Sequence, residues 1–177
     1  MKSALVSCAF VVGFWAAGQP VISPDERFVM RAAQANFAEV EMSAWAKDHA
    51  LSDEVRTVAG KVVNDHTVLA DELRSLAAKE SAAPVADLDP KDAAEIDRMK
   101  TLEPNLLDRA YMREVMRWHL KESDTFRREV ETGKDPGLKY WAYQMLNKTQ
   151  THLREGEDTE RAIGMEVAER VAANTNK

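Results

Sequence analysis

Glu39, His66, Glu122 and His152 combine the residue types and spacing needed to hold a divalent cation. Carboxylates supply charge and hard oxygen, and imidazoles supply borderline nitrogen, a set suited to Zn²⁺, Fe²⁺, Mn²⁺ or Cu²⁺. Glu39 and His66 are 27 residues apart, and Glu122 and His152 are 30 apart. Such similar separations suggest two related units, each giving one acid and one imidazole. Thiolate ligation is excluded beyond the first few residues, because the only cysteine is Cys8.

The segments around these residues read as amphipathic helices. Phe28, Ala32, Ala35, Glu39, Met42 and Ala46 recur at alternating steps of four and three, which stacks them on one helical face. Val55, Ala59, Val62, His66, Leu69, Leu73 and Leu76 do the same in the next segment. Leu107, Tyr111, Val115, Trp118, Phe126 and Val130 form a wider apolar arc that encloses Glu122, with His119 near its edge. Leu138, Ala142, Met145 and Thr149 make a fourth stripe, continued by His152. Each of four helices therefore turns one acid or imidazole toward the core.

Proline and capping residues set the boundaries. Ser23-Pro24-Asp25-Glu26 is a capping box with proline at the first helical position, and Asp89-Pro90 and Asp135-Pro136 repeat the start signal. The expected helices are Pro24 to His49, Asp53 to Lys79, a short one from Pro90 to Leu102, Asn105 to Glu131, and Pro136 to Glu155, with Gly156 ending or bending the last. Residues 157–177 form a tail with helical potential. An antiparallel neighbour needs only a few connecting residues. The second and fourth of these helices are separated by about 25 residues, enough to travel the length of a bundle. The expected fold is all-α: a ferritin-like four-helix bundle of two hairpins joined by a long crossover containing a short helix. In that arrangement all four polar residues fall within about 9 Å of one level along the bundle.

A buried ionised carboxylate is costly unless paired or coordinated. One divalent transition-metal ion would keep both acids charged and both imidazoles neutral. A hydrogen-bonded Glu/His network without metal would also answer the cost, and would fix helix register. His119 and Tyr111 are possible further ligands, although His119 is more simply a local partner of Glu122, and Tyr111 a core residue whose hydroxyl needs a partner. Asp65 reads as a helix-edge charge, His49 as a favourable cation at a helix C-terminus, and Glu41, Glu72, Glu114 and Glu155 as solvated. Trp45, Trp118 and Trp141 read as packing. No nucleophile–base pair, phosphate loop or cofactor fingerprint is evident, which argues against the common enzyme classes.

The chain begins differently. Met1-Lys2 precedes the apolar run from Ser3 to Gly18, closed by small residues, which is the layout of a secretory signal too short to span a bilayer comfortably. Cleavage near Gly18 would leave a bundle domain at 19–156 and the tail at 157–177. An uncleaved anchor is the alternative. The expected location is periplasmic, with outer-membrane association open. With 45% hydrophobic and 31% charged residues the chain is globular, and a net charge of −6 argues against nucleic acid and anionic membrane surfaces as partners.

The stretches AAQANFAEVEMSAWA, VVNDHTVLADEL, LDRAYMREVMRWHLKE and LNKTQTHLRE resemble an exported bacterial family, domain of unknown function 4142, placed among ferritin-like bundles. The resemblance covers roughly Asp25 to Glu155 and implies the fold, but no activity. A ferritin-like di-iron site takes lone glutamates from two helices and Glu-x-x-His from two others. Here Val63 and Thr149 stand three residues before His66 and His152, so both expected bridging acids are missing. An oxygen-activating di-iron centre is accordingly the weakest of the three readings.

Overall fold

Ser23 opens the first helix as its sequence requires. Its hydroxyl accepts from the Glu26 amide at 3.0 Å, and the Glu26 carboxylate accepts from the Ser23 amide at 2.6 Å, completing the capping box. The computed structural model describes residues 22–78 and 88–175, with side chains to Gly164. It contains α1 Pro24–His49, α2 Asp53–Ala77, α3 Pro90–Lys100, α4 Pro104–Thr132 and α5 Pro136–Thr175. Asp89 caps α3 through the Lys91 amide, and Asp135 accepts from the Leu138 amide at 2.7 Å. The segment expected to be a secretory signal, Cys8 within it, and residues 176–177 lie outside the described residues. Among those described, no helix is long and apolar enough to cross a membrane.

One boundary differs from expectation by more than two residues. Gly156 neither ends nor interrupts the last helix; α5 continues through it to Thr175. Gly156 is buried, and a Cβ there would stand 3.1 Å from Met116 Cγ and 3.5 Å from Met112 Cε. Its missing side chain lets α4 and α5 approach closely, a packing role that a helix-stop signal imitates in sequence.

The four long helices form a ring in the order α1, α2, α5, α4, and α3 lies against α1 and α4. Two buried aspartates fix the directions. Asp25, at the start of α1, accepts from the Lys134 and Asp135 amides before α5, the latter at 2.9 Å. Asp108, near the start of α4, accepts from the Leu51 and Ser52 amides before α2, at 2.8 and 3.0 Å. Each hairpin's first turn thus satisfies the backbone of the other hairpin's connection. Neighbouring helices run antiparallel, and α2 and α4 run parallel, which requires the long crossover. Asp25 and Asp108 each precede their helix's core glutamate by 14 residues. The hairpins are therefore equivalent in register.

The core is divided in two. One apolar cluster includes Met42, Val55, Val62, Leu107, Tyr111 and Trp118; the other includes Phe28, Leu69, Leu73, Leu138, Trp141 and Met145. Trp141 packs edge-on against Phe28 and Phe126, and its indole N–H donates to Leu69 O at 2.8 Å, in keeping with the expected packing role. Every long helix passes from one cluster to the other. At the crossing lies a polar layer of Asn36, Glu39, His66, His119, Glu122, Thr149 and His152, all buried.

A buried trihistidine layer

Three imidazoles meet at that layer. His66 of α2, His119 of α4 and His152 of α5 have ring centroids 5.1 to 5.6 Å apart. One ring nitrogen from each lies within 4.8 Å of the others. Their exposures are 0, 1 and 4%, so water does not satisfy their second nitrogens. His66 Nδ1 lies 3.1 Å from Asn36 Oδ1, His119 Nδ1 lies 2.7 Å from Val115 O, and His152 Nε2 lies 3.0 Å from Asp65 Oδ2. An acceptor fixes an imidazole tautomer by taking its N–H. With those three N–H groups so committed, His66 Nε2, His119 Nε2 and His152 Nδ1 are left as lone pairs. His66 Nε2 has no hydrogen-bond partner, and His119 Nε2 faces His152 Nδ1 at 2.9 Å.

That last contact poses a protonation problem. Two neutral rings carry two N–H groups, whereas the contacts to Val115, to Asp65 and between the rings call for three protons. A third would create an imidazolium. Burial, reinforced by His152, pushes the His119 pKa down to about 3, and burial likewise lowers those of His66 and His152. With both rings neutral, one of these three contacts must do without its proton.

The carboxyl groups sit to one side. Glu39 is fully buried, with Oε2 3.1 Å from His66 Nδ1 and Oε1 3.3 Å from His119 Nδ1. Neither oxygen makes a hydrogen bond of good geometry, because those ring N–H groups point at Asn36 and Val115. Glu122 is next to Glu39, and the two carboxyls form a hydrogen bond with one another once either carries a proton. Burial, followed by the charge of Glu122, raises the Glu39 pKa well above the usual carboxyl range, and burial pushes Glu122 up to about 8. Partial burial works to raise the pKa of Asp65, but hydrogen bonds from Lys148 and His152 outweigh it and hold Asp65 ionised.

Glu39, His66, Glu122 and His152 therefore do converge on one interior layer, though not as four equal corners. His119, assigned by sequence as a local partner of Glu122, instead contacts Val115 and His152 and completes the histidine cluster. Tyr111 stands apart, its hydroxyl donating to Ser43 at 3.0 Å. Asp65 is no mere helix-edge charge: it bridges Lys148 and His152. Glu114 is buried beside Arg117 rather than solvated. His49 does accompany the C-terminus of α1, bonding to Trp45 O at 2.9 Å. Asn36, absent from the sequence reading, takes the α1 position that corresponds to His119 in α4, three residues before the core glutamate.

An 830 Å³ cleft between α1, α3 and α4 reaches this layer through Glu122. Ala32, Ala35 and Ala38 line one wall, Trp118 and Phe126 another, and Asp92 and Glu95 of α3 stand at the rim. Thr149 occupies the site of a bridging acid but spends its hydroxyl on Met145 O, and Val63 offers no ligand atom. The residues do not fit a ferritin-like di-iron centre.

Fold and site together define an all-α, ferritin-like four-helix bundle with a buried histidine–carboxyl layer. The chain belongs to the DUF4142 family, a domain of unknown function, whose model matches residues 15–159. Two solved structures share the fold. A DUF305 protein from Streptomyces coelicolor, described as secreted, aligns with a TM-score of 0.70 at 18% identity, covering 79% of this chain and 92% of that one. A DUF305 fragment from Deinococcus radiodurans aligns with a TM-score of 0.69 at 17% identity, covering 82% and 99%. No curated protein matches the chain.

Proposed function

We propose that this is an exported metal-binding protein that holds one transition-metal ion in the bundle core through His66 Nε2, His119 Nε2 and His152 Nδ1. One observation carries the reading: three buried imidazoles bring a ring nitrogen each within 4.8 Å of the others while each ring has one nitrogen on a fixed acceptor, the pattern that hydrogen-bonding partners impose on metal-bound imidazole. A dication supplies the positive charge that these buried rings cannot take as a third proton. Glu39 stands beside two of the rings as the compensating charge, and Glu122 stands outside it. Neutral nitrogen ligands favour Zn²⁺ or Cu²⁺ over Mg²⁺ and Ca²⁺. The apolar N-terminal run and the secreted description of a structural relative support export, and the role we propose is in the cell envelope.

A second reading has its own support. The 2.9 Å contact between His119 and His152 is a hydrogen-bond distance, shorter than the ~3.3 Å between nitrogens around a tetrahedral ion. On that reading the layer is a metal-free polar network that sets helix register. Elemental analysis and Zn²⁺ titration of the secreted protein separate the two. One equivalent, lost in His66→Ala and His119→Ala, supports binding. Metal-free protein whose melting is unmoved by Zn²⁺ or Cu²⁺ supports the network.

A further inference from the structure

The trihistidine layer is closed to solvent, so an ion needs a way in. We propose that the cleft between α1, α3 and α4 is the route by which a divalent cation reaches the histidines, with Asp92, Glu122 and Glu39 as successive carboxylate ligands along it. This inference rests on the metal-binding reading above.

Three observations on three helices carry it. Glu122 lines the cleft, is only 8% exposed, and pairs carboxyl to carboxyl with Glu39. Beyond it lies Glu39, whose carboxyl meets that of Glu122 on one side and, within 3.3 Å, the Nδ1 edges of His66 and His119 on the other. Outside it stands Asp92 of α3, half-buried on the cleft wall, whose charge acts on both Glu122 and Glu39. Oxygen ligands thus succeed one another from the rim to the rings. A dication passes by exchanging water for carboxylate at each stage, and protons displaced from the carboxyl groups leave to solvent through the cleft.

Size and wall chemistry agree. Six waters at ~30 Å³ each make a hydrated ion of roughly 200 Å³, well within 830 Å³. The alanines of α1 leave the passage wide, and Trp118 and Phe126 offer no competing ligand. On the opposite side, between α2 and α5, His152 is covered by Asp65 and its ion pair with Lys148. Arg31, Lys91, Arg117 and Lys121 also line the cleft, so its charge is mixed, and Asp92 and Glu122 act as ligands along the route rather than as a steering field.

The test is stopped-flow loading of the metal-free full chain with Co²⁺ at low ionic strength, read by the visible bands of the tetrahedral ion. Glu122→Gln and Asp92→Asn are expected to slow loading several-fold, because each removes one carboxylate stage of the route. The final absorbance, set by the histidines, should still reach the wild-type amplitude. Ala35→Phe, a steric plug that leaves the charges alone, should slow loading as well. Wild-type rates in all three variants would overturn the route while leaving the histidine site intact. So would faster loading in Lys148→Ala with no effect of the cleft variants, which would move the route to the α2–α5 side. Absence of cobalt bands from the wild-type protein would overturn the trihistidine reading and the route with it.

Discussion

Replacing Asp65 by asparagine probes the metal reading at a residue that touches no ion. Asp65 Oδ2 lies 3.0 Å from His152 Nε2, and Oδ1 lies 2.9 Å from Lys148 Nζ. Asparagine keeps the shape but loses the charge that holds His152 in the tautomer with an inward lone pair. Losing a carboxylate that orients a metal-bound imidazole costs about 10- to 100-fold in metal affinity. The ion pair with Lys148, whose side chain is 47% exposed, is worth only ~0–1 kcal/mol, so metal-free stability should change little. At zinc 100 times the wild-type Kd, linkage gives the wild-type protein about 2.7 kcal/mol of stabilisation, and the variant about 0.4–1.4. For a chain of this size, 2.7 kcal/mol corresponds to roughly 5–11 °C of melting temperature. Differential scanning calorimetry with and without zinc, alongside a competition titration, measures both numbers. Equal zinc shifts in wild-type and Asp65→Asn protein would refute the assignment of His152 as a ligand oriented by Asp65.

Other outcomes follow from the same coordinates. Asp108→Ala strands two backbone amides that now donate to a buried carboxylate, and should destabilise by about 2–4 kcal/mol in urea melts. Asp25→Ala should behave alike, because it plays the same part at the other end. Burial, helped by the charge of Asp25, pushes the Glu129 pKa up to about 7. Below pH 4.5 folded and unfolded chains both keep that proton. As pH rises to about 7 the unfolded chain ionises first, so stability falls across this window. Glu129→Gln should flatten the decline, as read by melting temperature against pH. Gly156→Val places a side chain against Met112 and Met116, and overpacking of that kind should cost about 1–3 kcal/mol by denaturant titration.

The helices were legible because their signals are local. A capping box, prolines at first positions and steps of three and four specify α1 within the chain itself, and the sequence-predicted start and end both match. Burial of Glu39, His66, Glu122 and His152 was legible for the same reason, since each interrupts an apolar stripe. What sequence could not supply is partnership across helices. Asp65 lies about 100° off the stripe of α2, which read as exposure, yet that angle aims it at α5 and at a histidine 87 residues away. His119 sits near the edge of its arc, and only the position of α5 shows that this edge faces His152. Asn36 carries no charge and drew no notice, although it holds His66 in place. Gly156 misled through a rule about helix ends, because its reason for being glycine lies on α4.

The exchanged aspartates have a consequence for how the molecule comes apart. They grip at the two ends of the bundle, whereas the covalent link between the hairpins is the single stretch of chain from α2 through α3 to α4. A protease that nicks this link would separate the chain on a denaturing gel but not in solution. Each fragment would remain held at both ends by the other, and the pair should elute as one species with its helix content retained.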